Sequence, residues 1–161
     1  MNSECDSPGL ASCEAQSAWL QADLATHARE CMLAYWHRPV FNSGVHVPGN
    51  EAFSDEWAIL DRAGVDFVVN GHDHNYQRYA PQDASGVPDP SGMRQFIVGS
   101  GGNVLYEQSV EAANLEEFYP GHGVLKLDLM ESSFRWTFLP TQGSYSDNGS
   151  GTCRTRFPAN S

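Results

Sequence analysis

The chain has 161 residues, 40% of them hydrophobic and 18% charged, enough apolar material for the core of one domain over residues 1–161. Its formal net charge of −11 excludes the basic face that holds a nucleic-acid backbone. No apolar run approaches the ~20 residues that cross a bilayer, which argues against a membrane span.

At the N-terminus, Met1 to Cys5 carries neither the basic stretch nor the apolar core of a signal peptide. Four cysteines occur, at 5, 13, 31 and 153, three of them in loop-like sequence. An even count in loops suggests disulfides and an oxidising, extracytoplasmic or secreted setting; the alternative is four free thiols. Gln16 to Ala28 reads as a helix with Trp19, Leu20 and Leu24 on its apolar side, and His27 as a cation near its end. A strand is expected from Cys31 to Trp36, stopped by Pro39. The stretch from His37 to Asn50 follows, rich in Gly, Pro, Asn and Ser, and long enough to be functional if it has no structure of its own. Phe53, Trp57 and Leu60 mark the buried face of a second helix, Phe53 to Ala63, which Gly64 ends.

Val65 to Val69 is apolar except for Asp66 and reads as a buried strand, closed by Asn70-Gly71 and two histidines, His72 and His74. Strand, helix and strand in this order imply a right-handed crossover between parallel strands. His37 and the His72/His74 pair would then lie at the C-terminal edge of one sheet, where ligands of open α/β sheets collect. Residues two apart in an extended segment share a side, so His72 and His74 are expected to face one small volume. Imidazole is a common ligand of zinc, iron and manganese.

Tyr79 to Gly92 has loop composition, and Gln95 to Val98 forms a strand ending in Gly99-Ser100-Gly101-Gly102-Asn103. That glycine cluster is either a tight turn near the site or a phosphate cradle without the P-loop lysine. Glu107 to Glu117 reads as a short acidic helix or a mobile loop. Gly123 to Leu129 and Ser133 to Leu139 alternate with period two and are joined by Met130-Glu131-Ser132, a hairpin signal. His122, just before it, reads as a surface residue.

Gly71-His72-Asp73-His74-Asn75-Tyr76-Gln77-Arg78, with His37-Arg38-Pro39-Val40-Phe41-Asn42-Ser43 and His46, resembles the C-terminal half of a calcineurin-like metallophosphoesterase, most similar to the purple acid phosphatase branch. The resemblance implies an α/β fold, one half of an α/β/β/α sandwich of mixed sheets with covering helices. It also implies hydrolysis of phosphoric monoesters by a metal-activated water, with two metal ions ~3.5 Å apart. An acidic protein binds a phosphate ester where such ions supply positive charge.

By the same resemblance, His37 and His72 bind one ion and His74 the other, with zinc, iron or manganese as candidates. His46 lies over the substrate phosphate as a proton donor, and Asp73 orients a ligand histidine. Asn42, Tyr76 and Arg78 are candidates for substrate binding, the last two as pocket wall or as support for the loop. The family's Gly-Asp, bridging-aspartate and Gly-Asn-His-Glu or Gly-Asn-His-Asp motifs do not occur in this sequence. One ion instead of two, a homodimer or a missing N-terminal half joined across an open sheet edge, and a non-catalytic metal-binding or assembly remnant are therefore the alternatives.

Overall fold

A computed structural model describes residues 1–5, 7 and 12–154. Helix α1 spans Cys13–His27, three residues earlier than the apolar pattern suggests, because the Ser12 side chain caps it by accepting from the Ala15 N–H. Leu20 is buried and Leu24 packs against the core, but Trp19 is 56% exposed, so the apolar stripe is narrower than expected. His27 sits in the last turn and pairs with Asp23 one turn earlier at 2.9 Å.

Five strands form the first sheet: β1 Leu33–Tyr35, β2 Phe67–Asn70, β3 Tyr76–Tyr79, β4 Arg94–Val98 and β5 Leu115–Tyr119. Their order is β1-β2-β4-β3-β5. β1, β2 and β4 run parallel, whereas β3 is antiparallel to both β4 and β5. Helix α2, Ser54–Arg62, follows a 3-10 turn at Glu51–Phe53 and makes the crossover from β1 to β2. β1 is only three residues long and lies at the sheet edge, with Leu33 and Tyr35 exposed.

A second sheet holds β6 Gly123–Leu129, β7 Ser133–Pro140 and β8 Asp147–Thr152, all antiparallel in the order β6-β7-β8. The inward residues of β7 pack in turn on successive strands of the first sheet: Phe134 on Phe67, Trp136 on Phe96 and Phe138 on Tyr76. β7 therefore crosses β2, β4 and β3, and these rings form the apolar layer between the sheets. On the other face of the first sheet, α1 and α2 cover Trp36, Val65, Val68 and Met93. The chain is an α/β sandwich with mixed sheets and covering helices, and among the described residues the helices cover one side. None of those helices is long and apolar enough to cross a membrane.

Asp66, the one polar residue in the run that precedes β2, is buried and ties the ends of both sheets together. It accepts from Met32 N–H before β1 and from Arg154 N–H after β8. Two disulfides, Cys5–Cys13 and Cys31–Cys153, use all four cysteines, and the second links the start of β1 to the end of β8.

The structure corrects two sequence readings here and adds one strand that had not been read. Tyr76–Tyr79 leaves the motif as strand β3, so Tyr79 belongs to a strand and not to the loop read from Tyr79 to Gly92. The acidic stretch from Glu107 to Glu117 is not helical, and its end is strand β5, whose Glu116 pairs with Arg78 and Arg94. β8, with the sequence Asp-Asn-Gly-Ser-Gly-Thr, had no propensity to announce it. His122 is half-buried, and its Nε2 lies 2.8 Å from the Asn103 carbonyl.

Candidate metal and phosphate site

Three loops leave the C-terminal ends of β1, β2 and β4, and because these strands are parallel the loops meet at one edge. The loop after β1 carries His37, Asn42 and His46. The turn after β2 carries His72, Asp73 and His74. The segment after β4 carries Val104 and Tyr106, residues that the sequence reading passed over.

The turn after β2 is not extended. Asp73 N–H donates to Gly71 O and Asn75 N–H to Asp73 O, two successive three-residue turns, and His72 takes a left-handed φ of 68°. The period-two argument for His72 and His74 therefore fails, and the two rings find different neighbours. His72 stands between His37 and His46, with ring centroids 5.0 and 4.3 Å away. His74 stacks on Tyr106 at 4.3 Å, and Tyr106 in turn meets His46 edge-on at 5.4 Å.

Nε2 of His37 and Nδ1 of His72 face each other at 3.2 Å. Two nitrogens on one tetrahedral zinc, each about 2.0–2.1 Å from the metal, stand about 3.3 Å apart, so this pair fits a shared ion. Burial, together with the neighbouring His46, Arg38 and His37, pushes the His72 imidazole below its ordinary pKa, with Asp73 opposing. That keeps the ring in the neutral form that binds metals. Beyond this pair, no group of three His, Cys, Asp or Glu side chains among the described residues is placed to hold a metal. The chain's own residues fit two ligands of one ion and leave its remaining positions and its charge to other groups.

Asp73 is fully buried, and its Oδ1 accepts from His46 Nδ1 at 2.5 Å. The expectation that Asp73 orients a ligand histidine is thus revised, since its partner is the histidine that resemblance places over the substrate. Gly44 makes this contact possible: a Cβ there would lie 2.3 Å from Asp73 Oδ2. With Nδ1 engaged, His46 has Nε2 free. His46 and His72 line a cavity of about 350 Å³ with Arg38, Pro39, Val45 and Val47, and the Arg38 guanidinium pairs with Glu4.

The three residues proposed for substrate contact make contacts within the protein. Asn42 is buried, and its Oδ1 accepts from Gly44 N–H and Gln77 Nε2. Tyr76 and Arg78 point between the sheets, where both donate to Asp147. The period-two alternation of β3 explains this, because Gln77 and Tyr79 take the opposite face. Gln77 Oε1 accepts from Ser43 N–H, and the Tyr79 hydroxyl lies 2.8 Å from Ser43 Oγ. Support of the histidine loop thus comes from Gln77 and Tyr79, the residues that alternate with those expected. The glycine cluster is a turn, with Gly101 and Gly102 open to solvent.

The sheet order, the parallel crossover and the histidines at one sheet edge define a calcineurin-like metallophosphoesterase fold. The chain is 32% identical over 123 residues to purple acid phosphatase 18 of Arabidopsis thaliana, covering 70% of this chain and 28% of that protein. The purple acid phosphatase from yellow lupin seeds superposes with a TM-score of 0.72 at 19% identity, over 90% of this chain and 32% of its own. A second structure with the same fold, GAP50, described as the anchor in the inner membrane complex of Plasmodium, gives 0.74 at 15% identity over 98% of this chain and 49% of its own. The chain belongs to the purple acid phosphatase branch of this family. It spans roughly a third or less of the length of the curated relatives that it matches, and no family model matches it.

Proposed function

We propose that this chain carries the histidine half of a metal-dependent phosphatase site acting on phosphoric monoesters. The observation that carries the reading is the facing pair His37 Nε2 and His72 Nδ1, spaced as two ligands of one ion. In this reading they hold a zinc, iron or manganese ion and His74 offers Nε2 to a second. Such ions, when bound, polarise the phosphoryl oxygen and lower the pKa of water.

The remaining roles fall to this chain's side chains. Asp73 fixes the ring of His46 so that Nε2 faces the cavity, where it donates a proton to the leaving oxygen. Arg38, in the same cavity, offsets the charge of the phosphate. Asn42, Ser43, Gln77 and Tyr79 hold the loop that carries His46. Carboxylates that would neutralise such ions come from a second copy or from a segment preceding the histidine half, docked beside the edge strand β1. The two disulfides support an extracytoplasmic or secreted location.

A second reading, a non-catalytic metal-binding or assembly module, is favoured by one observation, the lack of a three-donor metal group among the described residues. GAP50, described as an anchor, has the same fold. Hydrolysis of p-nitrophenyl phosphate under defined added metals separates the two. The phosphatase reading expects turnover that falls about 10²–10⁴-fold in His46→Ala, the usual share of a general acid. A background rate unchanged by His46→Ala and His72→Ala leaves the module reading.

A further inference from the structure

Residues 103–110 form no helix or strand and are largely exposed, yet they are held at several points. The Asn103 carbonyl accepts from His122 Nε2 at 2.8 Å. Ser109 and Val110 N–H groups both donate to Ser43 O, at 2.9 and 3.2 Å. In the middle, Tyr106 N–H donates to His74 O at 3.0 Å, and the buried Asn75 donates its Nδ2 to Tyr106 O at 3.2 Å. The segment is a strap laid over the turn that carries His74. Its one aromatic residue touches no core ring, because the aromatic partners of Tyr106 are His74 and His46.

We infer that this strap, through the Val104 carbonyl and the Tyr106 ring, is the positioning element of His74 and selects which ring nitrogen it presents. His74 Nδ1 lies 2.8 Å from Val104 O. A carbonyl only accepts, so the proton resides on Nδ1 and the lone pair of the neutral ring is on Nε2. Stacking at 4.3 Å with 16° between the planes fixes the ring about its remaining axis. Such outer contacts orient ligand histidines in metal sites, and losing one typically weakens metal binding about 10–100-fold. The positioning itself is independent of a metal; its consequence for metal binding rests on the phosphatase reading given above.

The test uses the full chain, metal-free and labelled with ¹⁵N-histidine, in long-range ¹H–¹⁵N spectra. Wild type is expected to show His74 as the Nδ1–H tautomer with ring protons displaced upfield by Tyr106. Tyr106→Phe keeps both features. Tyr106→Ala loses the displacement and averages the tautomers, while the distant His27 signals stay fixed and report an intact fold. A zinc titration then expects about 10–100-fold weaker binding in Tyr106→Ala and wild-type binding in Tyr106→Phe. An Nε2–H tautomer in wild type, or His74 signals identical in wild type and Tyr106→Ala, overturns the inference. If the metal-free spectra behave as expected and zinc binds neither protein, the strap's role stands and the metal-dependent reading falls.

Discussion

On one face of β3 Arg78 meets Asp147 and Glu116, while on the other Gln77 and Tyr79 meet Asn42, Ser43 and Asn75. The first network is ionic and lies between the sheets, where Arg78 and Arg94 also rest on the Trp136 ring. The second is built of amides and hydroxyls beneath the histidine loop. The carboxyl group beside it is that of Asp73, and its partner is His46. A cation in place of Gln77 would compete for that carboxylate. Neutral support leaves Asp73 to the imidazole, whereas paired charges fix one sheet on the other.

The largest expected effects lie on the inter-sheet side. Cys31–Cys153 closes a loop with a sequence separation of 122. Replacing both cysteines by serine is expected to cost about 4–5 kcal/mol on a chain-entropy estimate, read by urea unfolding. Arg78→Ala leaves the buried Asp147 without its cation and is expected to cost about 3–5 kcal/mol. The His46 and Asp73 signals should not move, because the two networks occupy opposite faces.

The same ion pair sets a pH dependence. Burial pushes the Asp147 carboxyl up, but hydrogen bonds from Arg78 and Tyr76 outweigh it and hold it below the ordinary carboxylate range. A carboxyl depressed in the folded state contributes stability above its unfolded pKa of about 3.9, and that stability is lost as pH falls through the folded value. Unfolding free energy should therefore drop below about pH 4 in wild type, and drop less in Arg78→Ala.

Smaller effects sharpen the site side. Gly44→Ala puts a methyl against Asp73 Oδ2 and should cost about 1–3 kcal/mol while lowering turnover through His46. Tyr79→Phe removes a buried hydroxyl that contacts both Ser43 and Gln77 and should cost about 1–2 kcal/mol in the same unfolding assay.

The sequence made the histidine edge legible because local signals and topology agreed. An apolar run that leads into a histidine occurs twice, at β1 with His37 and at β2 with His72, with a helix between. β6 and β7 were legible from period two, and their register pairs Val124 with Leu139 and Leu129 with Phe134. β8 was not, because Gly149 and Gly151 weaken any strand signal. They are small for a tertiary reason, since a Cβ would strike the rings of Trp136 and Phe134 at 2.3 and 2.5 Å. β5 was hidden by Glu116 and Glu117, whose charge looks solvated until Arg78 and Arg94 arrive from other strands.

Within the site, His37, His46, His72 and His74 were all named from sequence. The grouping of His37 with His72 apart from His74 came from the resemblance and not from period-two spacing, because the left-handed φ of His72 turns its ring away from the extended alternation. Tyr106 had one available signal, its place after β4, whose C-terminal end shares the edge of β1 and β2. The opposite directions of Tyr76 and Arg78 against Gln77 and Tyr79 followed once residues 76–79 were known to be a strand.

The facing His37 and His72 nitrogens are tested most directly by zinc stoichiometry, measured by elemental analysis after gel filtration of wild type, His37→Ala and His72→Ala. The account predicts bound zinc in wild type and its loss in both variants. Zinc retained equally by all three, or bound by none, would contradict it.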